Sequence, residues 1–159
     1  MKRKILNPYK NLKGYNCFGC APNNMDGLRL EFVEEGDYIK SEWLPEDKFQ
    51  GYLNVLHGGI QATLLDEIAG WCVQIKLKTA GVTSKMEIKF KKPVYSNKGK
   101  IKLMAWITNQ KRNIVEVHAE LFSSIGELCA EGNINYFTFP QKIAKKNFNF
   151  PDYEEFFEE

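Results

Sequence analysis

The sequence predicts an α+β fold in which a six-stranded antiparallel sheet packs around one long central helix. Two observations carry this prediction. One proline-free helical pattern runs from Gly58 to about Lys78, and strand patterns with no helix between them stand on both sides of it. The chain has 159 residues and 43% hydrophobic residues, which suits one globular domain.

The first two strands come before the helix. Hydrophobic and charged residues alternate from Leu28 to Val33 and again from Tyr38 to Trp43, with a turn signal at Gly36-Asp37 between them. This pattern is typical of two strands joined by a tight hairpin. Residues 1–27 are rich in turn-forming residues, and we expect them to form an N-terminal loop segment that carries a CxxC pair.

The helix pattern is unusual on both of its sides. At 100° per residue, one stripe faces the sheet; it contains Ile60, Gln61, Leu64, Leu65, Ile68, Trp71, Cys72 and Ile75. The opposite side holds small residues around Asp66 instead of a charged surface. A helix of this kind is usually buried on both sides, so we expect a second subunit to cover it. An exposed alanine-rich face on a monomer is the alternative.

Four strand patterns follow the helix, at 83–93 and near 100–109, 113–123 and 127–138. Their even spacing predicts an antiparallel meander, and residues 28–139 form the predicted domain. Residues 140–159 change character, because lysines precede a run of acidic and aromatic residues. We expect this C-terminal tail to pack by its aromatic side chains or to fray.

Charge and hydropathy exclude several classes of protein. Lys plus Arg number 22 and Asp plus Glu number 20, and this balance argues against a nucleic-acid partner. No apolar run approaches the ~20 residues that cross a bilayer, so we expect no membrane partner. The basic start lacks the apolar stretch of a signal peptide, and we expect a cytoplasmic protein.

Cys17 and Cys20 have the spacing of metal ligands. A tetrahedral zinc site normally needs four ligands, and neither a second CxxC pair nor a paired histidine motif follows. A redox pair would lie where a strand turns into a helix, whereas this pair lies in a turn-rich loop. We therefore expect free thiols in an ordered loop, with no metal and no cofactor.

The helix begins with His57-Gly58-Gly59 and carries Asp66 two turns later. The first turn of a helix has unpaired N–H groups that can stabilise a developing oxyanion. A carboxylate at a subunit interface is costly, which favours a functional role over a structural hydrogen bond across a dimer axis. Gly59 and Asp66 are ~10 Å apart along the helix, so one chain cannot offer both to one carbon atom. Two antiparallel helices across a twofold axis can.

Residues 57–66, His-Gly-Gly-Ile-Gln-Ala-Thr-Leu-Leu-Asp, resemble the signature of hotdog-fold acyl-CoA thioesterases of the phenylacetate (PaaI-like) type. The loop from Cys17 to Cys20, followed by the segment 26–30, resembles one branch of that family. Thr83 and the strand after it also fit. The resemblance covers roughly residues 15–138.

This resemblance implies a hotdog fold, a homodimer or homotetramer, and hydrolysis of acyl-CoA to free acid and CoA, with CoA only as part of the substrate. The Gly59 N–H would polarise the thioester carbonyl. Asp66 of the other subunit would act as general base or as nucleophile. His57 would orient the thioester, and Thr83 would position water or Asp66. Gly58 would leave room for the substrate beside Gly59.

One position departs from the family pattern. Many relatives have an Asn six residues before the histidine, where this chain has Gly51. Gln50 or Asn54 could supply that amide instead, and Glu67 is a second candidate acid on the flank of the helix. The departure keeps a second hypothesis open, a non-catalytic acyl-CoA binding or sensor protein. A dehydratase is disfavoured because no His-Pro segment is present. The acyl chain is not specified.

Overall fold

The computed structural model describes residues 1–159. Its strands and helices confirm the predicted α+β class, with one long helix packed on an antiparallel sheet, but there are seven strands, one more than predicted. In chain order, the strands and helices are β1 (Lys2–Ile5), β2 (Phe32–Glu35), β3 (Tyr38–Trp43), α1 (Gly58–Leu77), β4 (Gly81–Phe90), β5 (Ile101–Lys111), β6 (Ile114–Phe122), β7 (Leu128–Thr138) and α2 (Gln141–Phe148). Short 3₁₀ turns cover Pro8–Asn11, Asp47–Phe49 and Tyr153–Phe156.

The sheet has the order β1-β2-β3-β5-β6-β7-β4, and every neighbouring pair is antiparallel. The additional strand is β1, which lies inside the predicted loop segment and pairs with β2. The predicted meander is correct only for β5, β6 and β7. Strand β4 pairs with β7 at the far edge instead of with β5, so its outer side is free.

Helix α1 lies across the concave side of the sheet. All of the predicted stripe is buried except Ile60, which is partly exposed. The expectation for the opposite side is wrong in part, because Ala69 and Val73 are completely buried within the single chain. The Gly81 backbone, at the start of β4, packs against Val73 and the Tyr136 side chain. The uncovered part of the helix is therefore narrower than predicted and centres on Asp66 and Gly70, both partly exposed.

Both terminal segments pack on the same end of α1, against Trp71. From the N-terminal segment, Tyr9 meets the Trp71 ring edge-on with centroids 6.4 Å apart, and from the C-terminal tail Phe156 meets it edge-on at 5.8 Å. Phe156 is completely buried, and its carbonyl accepts a 2.8 Å hydrogen bond from the Leu6 N–H. The C-terminal tail therefore packs by its aromatic side chains. Neither helix combines the length and the apolar character that a membrane span requires.

Candidate active site

The N-terminus of α1 is capped by the side chain of its own preceding residue. His57 Nδ1 accepts a hydrogen bond from the Gly59 N–H at 2.9 Å. The N–H groups of Gly58 and Ile60 donate to no protein acceptor, as expected in a first helical turn. The predicted oxyanion donor, Gly59, is thus engaged by His57 in this chain. The amides on either side of Gly59 are free, and together with the helix dipole they favour a developing negative charge.

The loop before α1 brings a further polar side chain to this helix end. Gln50 lines the same shallow depression as His57, Gly59 and Ile60. Its Oε1 accepts a hydrogen bond from the Asn54 N–H at 2.9 Å, which holds the left-handed turn at Asn54 (φ 60°). The Gln50 side chain therefore lies at the predicted site, whereas Asn54 contributes its backbone N–H, which donates to Gln50.

Position 51, where the resemblance led us to expect an asparagine, faces the capping histidine. A Cβ atom built on Gly51 would lie 3.6 Å from both Cα and Cδ2 of His57, which is an ordinary van der Waals contact. The backbone at Gly51 is outside the left-handed region. A side chain is therefore sterically possible here, and its absence leaves the neighbourhood of His57 without one amide.

Asp66 is held by two hydroxyl groups that come from two different strands. Thr83 Oγ1 and the Tyr136 hydroxyl each donate a 2.8 Å hydrogen bond to Asp66 Oδ1. The Tyr136 hydroxyl also lies 2.8 Å from the main-chain oxygen of Asp66. The other carboxylate oxygen, Oδ2, has no donor from the protein. The carboxylate is thus fixed in orientation and keeps one oxygen available to accept a proton.

Sequence analysis missed Tyr136, which belongs to this site. Its side chain is 2% exposed, and burial, together with the Asp66 carboxylate, raises its pKa well above the ordinary value for tyrosine. Tyr136 therefore remains a neutral phenol and a hydrogen-bond donor at neutral pH. One signal was present, because a tyrosine at an inward-facing position of a strand needs a partner for its hydroxyl.

A β-bulge in β4 turns Thr83 toward Asp66. Thr83 pairs with Tyr136 in β7, but the next register pair joins Lys85 to Asn135, so Ser84 is the extra residue. Strict alternation would place Thr83 and Lys85 on one face. The bulge instead places Thr83 on the face of Met86, whose partner Ile134 is buried like Tyr136.

Glu67 faces away from Asp66, toward the N-terminal loop. Its Oε1 accepts a 3.2 Å hydrogen bond from Trp71 Nε1 and lies 3.6 Å from Cys17 Sγ. Burial and the neighbouring Cys17 raise the pKa of Glu67 to about 7. The neighbouring Cys20 thiol is the main reason that the pKa of Cys17 falls to about 5. The structure therefore does not bring Glu67 to the predicted substrate site.

The polar groups thus form two clusters at different levels of one helix. His57, Gly58, Gly59 and Gln50 lie at its N-terminus, and Asp66 lies two turns further on with Thr83 and Tyr136. Seven residues of helix correspond to ~10 Å, so a single chain does not converge both clusters on one reacting atom.

The surface beside Asp66 is an open sheet edge. Strand β4 is ten residues long, and its outer edge has no partner strand. Large hydrophobic side chains are exposed along it and on the adjoining strand; they are Val82, Met86, Phe90 and Phe137. A long free edge with apolar side chains is a surface on which another strand can pair.

Comparison with known proteins identifies the family. The model of the thioesterase superfamily matches residues 53–130, a range that contains the helix, its N-terminal glycines and Asp66. Residues 53–130 of the chain therefore match the thioesterase superfamily. Its architecture is the hotdog fold, as the resemblance of residues 57–66 implied.

Solved structures of this superfamily superpose on most of the chain. The thioesterase superfamily protein RHA08564 has a TM-score of 0.68 at 18% identity, covering 75% of this chain, which in turn spans 58% of that one. Protein BH2602 from Bacillus halodurans, solved with CoA, has a TM-score of 0.57 at 29% identity, with coverages of 62% and 70%. A phenylacetic acid degradation-related protein from Ralstonia eutropha JMP134 has a TM-score of 0.63 at 20% identity, with coverages of 70% and 86%. No curated protein matches the chain.

Proposed function

We propose that this chain is an acyl-CoA thioesterase, which hydrolyses acyl-CoA to a free acid and CoA. The observation that carries the proposal is the Asp66 carboxylate, held on one oxygen by Thr83 and Tyr136 and free on the other. A partly exposed carboxylate with two dedicated donors is a costly arrangement for packing alone, whereas it is suited to activating water. The match of residues 53–130 to the thioesterase superfamily supports this proposal.

The active site forms between two copies of the chain. Asp66 and the helix N-terminus are ~10 Å apart in one chain, and an antiparallel second helix brings each beside its counterpart. The free edge of β4 and its exposed apolar side chains support pairing on this side. A homodimer with two equivalent sites is therefore the functional unit, and a homotetramer is a pair of such dimers.

In this mechanism the thioester carbonyl lies at the N-terminus of α1 in one subunit. The His57 imidazole moves off the Gly59 N–H, which then donates to the carbonyl oxygen together with the neighbouring helix amides. Asp66 of the other subunit takes a proton from water on Oδ2. The water oxygen bonds to the carbonyl carbon, the carbon–sulfur bond breaks, and the CoA sulfur leaves and takes up the proton that Asp66 had accepted. Thr83 and Tyr136 hold the carboxylate through these steps.

The substrate carrier is CoA. The structural relative from Bacillus halodurans was solved with CoA, at 29% identity to this chain, and this supports the same carrier here. A non-catalytic acyl-CoA binding protein is the second candidate. Two observations favour it, namely the missing amide at Gly51 and the occupied Gly59 N–H.

The deciding experiment measures free-thiol release from short, long and aromatic acyl-CoAs. It compares the intact chain with Asp66→Asn and with the matched control Asp37→Asn, which lies in the exposed β2–β3 turn. Asparagine can accept both hydroxyl hydrogen bonds, so the fold and the dimer are retained while the base is lost. Hydrolysis should fall by at least ~10²-fold in Asp66→Asn and stay unchanged in the control. Equal turnover by all three proteins would refute the role of Asp66, and acyl-CoA binding without release would favour the second candidate.

Subunit complementation tests the shared site. Asp66→Asn and Gly59→Val are each expected to be inactive. Co-expressed, they form mixed dimers in which one of the two sites combines an intact helix N-terminus with an intact Asp66. Random assembly should restore about a quarter of the activity. Activity that stays at the level of the separate variants would place the whole site within one chain.

A further inference from the structure

We propose that Cys17, Cys20 and Glu67 bind a divalent zinc ion that fastens the N-terminal loop to helix α1. One ligand atom from each residue lies within 4.8 Å of the other two. The Cys17 Sγ to Glu67 Oε1 distance is 3.6 Å. For a tetrahedral zinc ion with bonds of ≈ 2.3 Å to sulfur and ≈ 2.0 Å to oxygen, that edge measures about 3.5 Å. The Cys17–Glu67 edge therefore already has the length found in a zinc coordination sphere, and Cys20 lies within 4.8 Å of both ligand atoms.

The third ligand explains why the spacing of the cysteines alone did not indicate a site. Glu67 is fifty residues away from Cys17 in the chain and reaches the loop only because α1 packs against it. With two thiolates and one carboxylate, the protein supplies three ligands, and water completes the tetrahedron. On binding, the two thiols release their protons to solvent.

The loop is built to admit the Glu67 carboxylate. Gly19, between the two cysteines, is buried directly against it, and a Cβ atom at this position would overlap the carboxylate group. The loop backbone is held in place by hydrogen bonds, of which Leu28 N–H to Phe18 O (2.8 Å) and Leu30 N–H to Gly19 O (3.0 Å) flank the pair. The thiols are therefore presented on a fixed backbone, as a metal site requires.

The charges around the cluster also call for a cation. Glu67 takes part in none of the ion pairs of the structure. Its nearest donors are the Trp71 indole N–H at 3.2 Å and the Cys17 thiol. An indole N–H on a ligating carboxylate is the kind of outer contact that orients metal ligands. A divalent ion would neutralise charge that no Lys or Arg side chain reaches.

The test is metal binding by the full chain, which is independent of the proposed hydrolase activity. Protein purified under reducing conditions is stripped with a chelator, titrated with ZnCl₂ and analysed by elemental mass spectrometry. Separate titration with CoCl₂ reports thiolate ligation by its charge-transfer absorption. We expect one zinc per chain and a thiolate–cobalt band. Glu67→Gln, which preserves side-chain shape, should weaken binding at least tenfold, and Cys17→Ser should abolish the band.

Two controls make the result specific. Glu131→Gln is the matched substitution in a second cluster, formed by His118, Glu120 and Glu131 on the sheet, and it should leave zinc binding unchanged. Cys129→Ser removes a buried thiol elsewhere and should do the same. No stoichiometric binding by the intact chain would overturn the proposal. Unchanged zinc affinity in Glu67→Gln and Cys17→Ser would also overturn it. Loss of zinc binding in Glu131→Gln would overturn it as well.

Discussion

Replacing Tyr136 by phenylalanine removes one hydroxyl group from the interior and the hydrogen bond that it donates to Asp66. The ring stays buried, so the hydrophobic contribution is unchanged. A hydrogen bond to a charged group contributes ≈ 1.5–3 kcal/mol and a neutral one ≈ 0.5–1.5 kcal/mol. Thr83 still donates to the same carboxylate oxygen and Asp66 is partly exposed, so we expect a loss of about 1–3 kcal/mol in the free energy of unfolding. For a chain of this size, Tm should fall by about 3–10 °C.

The assay is urea and thermal unfolding of Tyr136→Phe followed by circular dichroism. Tyr95→Phe is the matched control, because its ring is exposed and its hydroxyl makes no hydrogen bond in the structure. Burial raises the pKa of Tyr136 above the ordinary value, so its contribution is fully present below the unfolded pKa of about 10. The difference from the intact chain should therefore stay constant between about pH 6 and pH 9. A Tyr136→Phe protein as stable as Tyr95→Phe would refute the reasoning.

The same variant also tests the proposed chemistry. Without Tyr136, Asp66 keeps only the Thr83 hydroxyl and gains freedom to rotate. We expect kcat/KM for acyl-CoA to fall by about tenfold, which corresponds to 1.4 kcal/mol of transition-state stabilisation. Unchanged kcat/KM together with lowered stability would restrict Tyr136 to a structural role.

Three further perturbations follow from the structure. Gly51→Asn should fold normally, because its Cβ would make only ordinary contacts with His57. It should raise kcat/KM for acyl-CoA severalfold, and an unchanged or lower value would show that the missing amide does not limit activity. Burial disfavours ionised Glu34, but hydrogen bonds from Lys76 and Arg3 outweigh it and lower its pKa. The stabilisation by ionised Glu34 is present above its unfolded pKa and is lost as pH falls through its folded pKa. In urea unfolding, Glu34→Gln should therefore lower the free energy of unfolding by about 1 kcal/mol at pH 7 and leave it unchanged in strong acid. A loss of stability that does not depend on pH would contradict this. Phe156→Ala should destabilise the fold by about 3–5 kcal/mol in the same assay, whereas Phe148→Ala, at the more exposed ring, should cost much less; equal effects would show that the tail does not hold the core.

Local periodicity was sufficient to predict most of the fold. Helix α1 is twenty residues long, and its buried stripe repeats every three to four residues, so the pattern is unambiguous. The hairpin of β2 and β3 follows from alternation around Gly36, but β2 begins at Phe32 and not at Leu28 as predicted. Strand β1 was missed because it has four residues, three of them basic, and these show too little alternation to indicate a strand.

The candidate site was only partly accessible to the sequence. Asp66 and the helix N-terminus stand out because both are local anomalies in an otherwise apolar helix. Tyr136 comes from a strand seventy residues later, and its contact with Asp66 depends on strand order. That Thr83 faces Asp66 depends on the bulge at Ser84, a backbone irregularity that alternation alone does not predict.

The second face of α1 is partly covered by the same chain, although its composition predicted that a second subunit covers it. Small apolar residues do indicate close approach by another element. For Val73 that element is β4 and for Gly70 it is β7, both of the same chain. The composition of a helix face indicates that the face is covered, but the strand order determines which segment covers it.

The free edge of β4 has a consequence for the behaviour of the chain on dilution. The backbone donors and acceptors of β4 that point away from β7 are unpaired, and beside the exposed Met86 and Phe90 they can pair with another extended polypeptide. A chain without a partner on this edge is prone to aggregate. In the proposed homodimer the second copy covers this edge, so dissociation of the dimer is the step that exposes it.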